Sequence, residues 1–329
     1  MLPVDKRGSP FHNPAQIDTV LAGRSYHAMR PGYNRLSNPE FKGETMVRYN
    51  KVIELLEQDK PVFCSGLVWN GNLDDMTFVG DADYDMVIVE MEHQGFSFND
   101  LRTMLQFLMN RKKVSEMGSL QADPAPFVRV PPNFRERNQW VLKQALDAGV
   151  YGLVLPHLDN VEDAKAAVVA ARYPQVPGVA DFEPEGERGW WYRIAPRYWG
   201  LTPAEYYDAA DLWPLDPDGN MLLVGIIEDP VGVKNVRDIL REVKGIGAIW
   251  AGPGDMSVAM GHKGNAGHPD VQANLLTILE ACKEFGVPCA TGCTAEEVPM
   301  RLEQGFRIII TSPEKTTKGL DEGRRIAGR

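Results

Sequence analysis

A chain of 329 residues is long enough for two average domains, or for one α/β barrel of about 250 residues with extensions. Its 43% hydrophobic and 24% charged content excludes a disordered or fibrous protein, and a net charge of −10 leaves no electrostatic footprint for nucleic acid or an anionic membrane. No apolar run approaches the roughly 20 residues of a membrane helix. MLPVDKRGSPFHNPAQ has no apolar h-region, so a cytoplasmic location is the expectation. Residues 1–44 are rich in Pro, Gly, Asn and Arg without sustained period and read as an N-terminal extension. From 45 to 329 a regular rhythm runs, read as one domain.

GETMVRYNKVIELLEQDK has helical spacing; PVFCSGLVW (61–69) then reads as a strand and NLDDMTFVG (72–80) as a short helix. YDMVIVEME (84–92) is a strand and FNDLRTMLQFLMNRKK (98–113) a helix. APFVRVP (125–131) is a strand, and ERNQWVLKQALDAG (136–149) a helix closed by a glycine. YGLVLPH (151–157) precedes a helix over 160–173 with Asn160 as its N-cap. An irregular stretch at 174–219 carries the aromatic patch RGWWYRIAPRYW. The alternation resumes with strands at 221–228, 246–252, 287–293 and 306–312, and helices at 231–243, 271–286, 295–305 and 314–328.

Eight strands, each followed by a helix and apolar throughout, belong to a parallel sheet buried on both faces. They predict a (β/α)8 TIM barrel with a long insertion between the fourth and fifth βα units; an open doubly wound sheet is the alternative. No GxGxxG follows the first strand and no P-loop occurs, which removes a nucleotide as the default ligand. The four cysteines, Cys64, Cys282, Cys289 and Cys293, form no CxxC pair and read as reduced structural thiols.

In such a barrel the chemistry gathers at the C-terminal ends of the strands. There the second strand ends in Glu90, Glu92 and His93, the third carries Arg129, the fifth ends in Glu228, and the sixth runs into GPGD with Asp255. Each has a plainer reading: Asp255 as a helix cap, Arg129 in a structural ion pair, His93 as a hydrogen-bonded structural histidine. Their gathering on one rim favours a site. A buried carboxylate such as Glu228 needs a partner or a metal. Two carboxylates with few soft ligands favour a hard divalent ion, Mg2+ or Mn2+, with Co2+ or Zn2+ as alternatives. An α-keto acid chelates such an ion, Arg129 would face the developing enolate, and His93 would move a proton. Backbone around GPGD could hold the substrate carboxylate.

The chain also resembles the HpcH/HpaI family of metal-dependent class II pyruvate aldolases. The resemblance runs over roughly 50–315 and rests on YDMVIVEMEHQGFS, VRVPPN, LDAGVYGLVLPHLDNVEDAKAAVVAARYP, ERGW, the IIED glutamate and GPGDMSVAMG. It implies Glu228 and Asp255 as metal ligands, His93 as the catalytic histidine, and Arg129 at the keto oxygen. Asp147 would be the acid paired with that histidine, and Gly252, Pro253 and Gly254 would hold the substrate carboxylate with Asp255. A homo-oligomer, a hexamer built as a trimer of dimers, is implied too. The chain departs from the family pattern with Glu90, a possible outer support of the site, where members usually carry Asp. It departs again with Ile226 where many carry Gln, with the longer VADFEPEGE before ERGW, and with the 44-residue extension. The two lengthened parts imply a different acceptor pocket or subunit contact. The aromatic patch at 190–199 reads either as a wall for a bulky aldehyde or as lid or interface packing.

The function so implied is reversible cleavage of a 4-hydroxy-2-oxo acid to pyruvate, or a related 2-keto acid, plus an aldehyde. The alternatives are an oxaloacetate-decarboxylating, enolate-condensing enzyme resembling macrophomate synthase, and a non-catalytic binding barrel. Cleavage of CoA esters is disfavoured for want of a basic pocket.

Overall fold

Apolar residues at consecutive positions make strands that neither face can leave in water, and these close on themselves. The computed structural model describes residues 48–132, 136–311 and 316–329; the expected extension over 1–44 lies outside them. The strands are β1 (Val62–Trp69), β2 (Met86–Glu90), β3 (Ala125–Arg129), β4 (Gly152–Leu155), β5 (Leu222–Ile227), β6 (Ala248–Ala251), β7 (Cys289–Cys293) and β8 (Ile308–Thr311). All pair in parallel in chain order, and Val62 opposite Ile308 closes the ring, so the barrel is a (β/α)8 fold. Strands β2, β4, β5, β6 and β8 are buried at every position. Each buried Val, Leu or Ile contributes about 1.5–3 kcal/mol relative to its exposed state.

Around the ring lie α1 (Lys51–Glu57), α2 (Leu73–Asp81), α3 (Phe98–Leu108), α4 (Arg111–Met117), α5 (Trp140–Ala148) and α6 (Val161–Ala171). There follow α7 (Ile194–Trp199), α8 (Pro203–Ala209), α9 (Pro230–Glu242), α10 (Pro253–Ala259), α11 (Pro269–Phe285), α12 (Val298–Gln304) and α13 (Lys318–Ala327). The Asn160 side chain accepts the Asp163 N–H and starts α6 as expected, a cap worth about 1 kcal/mol. Gly149, at φ 111°, ends α5 in a left-handed turn, where a Cβ would sit 2.9 Å from the Tyr198 ring.

Two expectations need correction. The helix over 98–113 is two helices, because Asn110 turns its side chain onto the N–H groups of Lys112 and Lys113 and starts a new one. The stretch 174–219 is partly ordered by α7 and α8, the latter held by a capping box between Thr202 and Glu205.

Strand direction decides what the insertion can do. It leaves the C-terminus of α6 and enters the start of β5, so it lies at the N-terminal end of the barrel, opposite the expected catalytic rim. Trp199 donates to the Gly149 carbonyl at 2.9 Å and stacks on Tyr151, just before β4, at 4.0 Å. Buried Arg172 grips Asp211 through two bonds of 2.8 and 2.7 Å and reaches Asp181 at 3.0 Å. The aromatic patch therefore packs beneath the barrel and does not wall an acceptor pocket on the rim of its own chain.

Candidate active site

Four strand ends deliver charge to one rim. Glu90, the last residue of β2, stands in register with Arg129, the last residue of β3. Its Oε2 accepts from Arg129 Nε at 2.6 Å, while its Oε1 accepts the backbone N–H groups of Glu92 and His93 at 2.7 and 2.9 Å. One carboxylate thus fixes both the arginine and the turn that carries the histidine. The family's usual aspartate is a methylene shorter at this position.

Glu92 follows, its side chain only 4% exposed, with Oε2 at 3.2 Å from Arg129 Nε and 3.4 Å from His93 Nε2. Burial pushes its carboxyl up from the ordinary value, opposed by the charges of Arg129 and His93. The His93 side chain is 58% exposed and open to a ligand above the rim.

Beyond β4 the chain turns at His157, whose φ of 58° is unusual for a non-glycine residue. That turn aims its N–H at Glu228 Oε1, 2.9 Å away, and sets its Nδ1 at 3.3 Å from the same oxygen. Glu228 lies just past β5 and is buried. Asp229 next to it turns away to cap α9 through the N–H groups of Val231 and Gly232. Burial raises the Glu228 carboxyl to about 8; the His157 N–H opposes this, and the charges of Asp255 and Glu92 add to it. Asp255 sits in the first turn of α10, which has no side-chain cap, so it is not the helix cap that its position allowed.

Oxygen or nitrogen atoms of His157, Glu228 and Asp255 all lie within 4.8 Å of one another. The donor set fits a divalent ion: two carboxylates, one of them buried and costly to ionise alone, with an imidazole beside them. Two further groups among the described residues have the spacing but not the chemistry. Asp181, Asp211 and Asp216 surround Arg172. His262 and His268, near Asp270, stack face to face at 3.5 Å and 15°, so one ion cannot lie in the plane of both rings.

Gly252 sits where a Cβ would meet Glu228 Cβ at 3.0 Å and Ile226 Cγ2 at 2.9 Å; Gly254 has nothing within 4 Å of its Cβ direction. The GPG turn is thus tight against the acid on one side and bare on the other. Ile226, buried, presents no polar group beneath Glu228.

Within one chain the structure brings together Glu90, Glu92, His93, Arg129, Glu228 and Asp255, and does not bring Asp147 to them. Asp147 lies at the C-terminal end of α5, hence at the opposite end of the barrel, and Arg188 holds it at 2.9 Å. Burial raises its carboxyl and Arg188 opposes that. Sequence reasoning passed over His157, although it ends YGLVLPH as visibly as His93 ends its own strand.

An acidic, histidine-bearing rim on a (β/α)8 barrel defines the class, and the comparisons place it. The family model described as HpcH/HpaI aldolase/citrate lyase matches residues 69–306, and the chain belongs to that family. A 5-keto-4-deoxy-D-glucarate aldolase of Salmonella arizonae is 34% identical over 237 residues, 72% of this chain and 80% of the relative. The Salmonella newport protein of the same name is 33% identical over the same span. An HpcH/HpaI aldolase/citrate lyase family protein from Burkholderia cenocepacia superposes with a TM-score of 0.67 at 25% identity, covering 84% of this chain and 97% of that one. Macrophomate synthase shares the fold, with a TM-score of 0.60 at 23% identity over 88% of this chain and 93% of its own. Among the described residues no helix is long and apolar enough to cross a membrane.

Proposed function

We propose that the protein is a metal-dependent aldolase that reversibly cleaves a 4-hydroxy-2-oxo acid to pyruvate, or a related 2-keto acid, and an aldehyde. The observation that carries this is the charge imbalance at the rim. Glu90, Glu92, Glu228 and Asp255 share one arginine, and Glu228 is buried where it ionises only reluctantly. A cation completes such a site. Glu228 and Asp255, with His157 beside them, would hold the ion, Mg2+ or Mn2+ by the hardness of the oxygens. When bound, it supplies positive charge against the carboxylate and keto oxygens of the substrate.

The chain's own residues do the rest. Arg129, fixed by Glu90 and Glu92, places its guanidinium where the keto oxygen gains negative charge. His93 takes a proton from the keto acid's methyl carbon in the synthetic direction and returns it in cleavage. The backbone of Gly252, Pro253 and Gly254 offers the bare surface on which the substrate carboxylate lies. Asp147 reaches a His93 only between copies of the chain, in the homo-oligomer that the resemblance implies.

The test is pyruvate release from a panel of 4-hydroxy-2-oxo acids, with EDTA and after restoring Mg2+ or Mn2+. Turnover only with metal supports the reading. Turnover that survives EDTA or Glu228→Ala overturns it. If oxaloacetate decarboxylation is the sole reaction, the enolate-condensing alternative takes its place.

A further inference from the structure

We propose that Trp69 walls the acceptor side of the rim, so that the aldehyde this protein takes carries a flat apolar group, aryl or conjugated alkenyl, beside its carbonyl. The inference rests on the aldolase reading and names the substrate class of that same site. Trp69 is the last residue of β1 and stands in register with Glu90, which in turn stands in register with Arg129. Paired residues of neighbouring parallel strands point to the same side of a sheet, and alternate residues along one strand share that side. The pairing runs on from Arg129 to Val154 and from Val154 to Val224. Further along that strand come Ile226 and, just past its end, Glu228, which face Gly252 together. Trp69 therefore shares the inner side of the barrel with the rim charges, and it is 58% exposed. An indole left in water at a barrel mouth, among charged side chains, is the apolar surface that a ligand covers.

The order of the strands sets which substrate the ring meets. The proposed keto acid lies over β5 and β6, with its methyl carbon turned to His93, just past β2. On the side of β2 away from Arg129 stands β1, so an aldehyde that meets that carbon has Trp69 at its flank. The ring's backbone is fixed there. The Asn70 side chain donates to the Gly95 and Ser97 carbonyls at 2.9 and 3.0 Å, which staples the end of β1 to the turn that carries His93. Phe96, in the same turn, packs edge-on against Phe98 and Trp140 with ring centroids 5.1 and 6.1 Å away. A flat, rigid ring on a tied segment gains most from a partner that is itself flat and apolar. A methyl group covers little of it, and a hydroxylated chain gives up water for nothing in return. The aromatic wall that the insertion at 174–219 does not supply to its own rim is thus supplied by β1.

The experiment uses the full chain loaded with Mg2+ and two 4-hydroxy-2-oxo acids, one releasing benzaldehyde and the other acetaldehyde on cleavage. The unsubstituted protein is expected to have the higher kcat/KM on the first. Trp69→Ala removes that preference, lowering kcat/KM for the benzaldehyde-releasing acid on the order of 10- to 100-fold more than for the other. Trp69→Phe keeps a smaller ring and recovers part of the preference. With 15N-labelled tryptophan, the indole signal that is lost in Trp69→Phe shifts when benzaldehyde is added to the holoprotein and stays in place with acetaldehyde. Equal losses on both substrates in Trp69→Ala, or a preference for the acetaldehyde-releasing acid in the unsubstituted protein, overturn the proposal. So does a changed oligomeric state of Trp69→Ala in light scattering with the preference intact, which assigns the ring to a contact between copies. Exchange of pyruvate methyl hydrogens with deuterated water in the unsubstituted holoprotein reports separately on the aldolase reading. Its absence removes that reading, whereas exchange without a substrate preference removes only the role of Trp69.

Discussion

The two ends of this barrel bury charge in opposite ways. At the N-terminal end buried Asp85, Arg172 and Arg188 are each answered by partners within the chain. Asp85, just before β2, meets Lys51, Arg324 and Arg329 at 3.1, 3.0 and 2.7 Å. Arg172 meets two aspartates, and Arg188 meets Asp147, the Tyr206 hydroxyl and the face of Tyr173. At the C-terminal end four carboxylates gather around Arg129 and two histidines. Both ends cost desolvation, but only the first recovers it from partners within the chain. The residue types alone would not separate them; the sign of the local imbalance does, and it assigns architecture to one end and ligand binding to the other.

The largest effect that would break this contrast is on turnover. Glu228→Ala removes the buried acid of the unbalanced end that burial keeps from ionising up to about pH 8. It is expected to lower metal-dependent kcat/KM by about a thousandfold or more, the scale of losing a main electrostatic stabiliser of the transition state, with the fold retained in circular dichroism. The matching change at the balanced end is Arg172→Met, which strands Asp211 and Asp181. It should cost about 3–5 kcal/mol in urea unfolding, while kcat of the folded protein moves less than about twofold. A large kcat loss there would mean that the two ends are coupled and the division is wrong.

The next effect is a pH dependence. Glu228 ionises only near pH 8, so below that pH an incoming ion must displace a proton. Affinity for Mg2+ or Mn2+ should rise up to about tenfold per pH unit between pH 6 and 8 and level off above. Calorimetry in buffers of different ionisation enthalpy would register close to one proton released per ion at pH 7. In the metal-free protein the sign runs the other way. The folded state holds that proton more tightly than the unfolded chain. The stability it contributes is therefore full below the ordinary carboxyl value and is lost as pH rises through about 8. Saturating metal should flatten that decline; a midpoint indifferent to pH in both forms would refute the buried-acid account.

Much of this was legible before any coordinates. The strand–helix alternation gave the barrel because parallel strands buried on both faces leave an unmistakable apolar signature. Glu90, Arg129, Glu228 and Asp255 fell on one rim because strand ends are easy to read and strand direction is uniform. The residues harder to place were those attached to helices. The resemblance pairs Asp147 with His93, and because α5 runs antiparallel to the strands and carries its last turn to the other end, the pair does not form within one chain. Of the two readings of the aromatic patch, packing is the one its own chain shows, since a connection from helix to strand ends beneath the barrel. His157 was missed because its role depends on a left-handed turn after Pro156, a backbone state that nothing in YGLVLPH announces.

Glu90 tests the contrast most finely, because it is a rim acid whose two oxygens are both answered within the chain. It spends one oxygen on Arg129 and the other on two backbone N–H groups. Glu90→Asp restores the acid that the family usually carries but shortens the reach by a methylene, so one of those contacts must lengthen. If the turn keeps its bonds, Arg129 is the group released, and a drop of about 10- to 100-fold in kcat/KM follows, the value of one hydrogen bond to a charged group. If Arg129 keeps its bond instead, the turn loosens; stability then falls by about 1 kcal/mol with kcat/KM little changed. Steady-state kinetics and thermal unfolding on the same preparation separate the two outcomes. A variant equal to the parent in both would mean that the backbone shifts to absorb the methylene, and that Glu90 and Asp are interchangeable at this strand end.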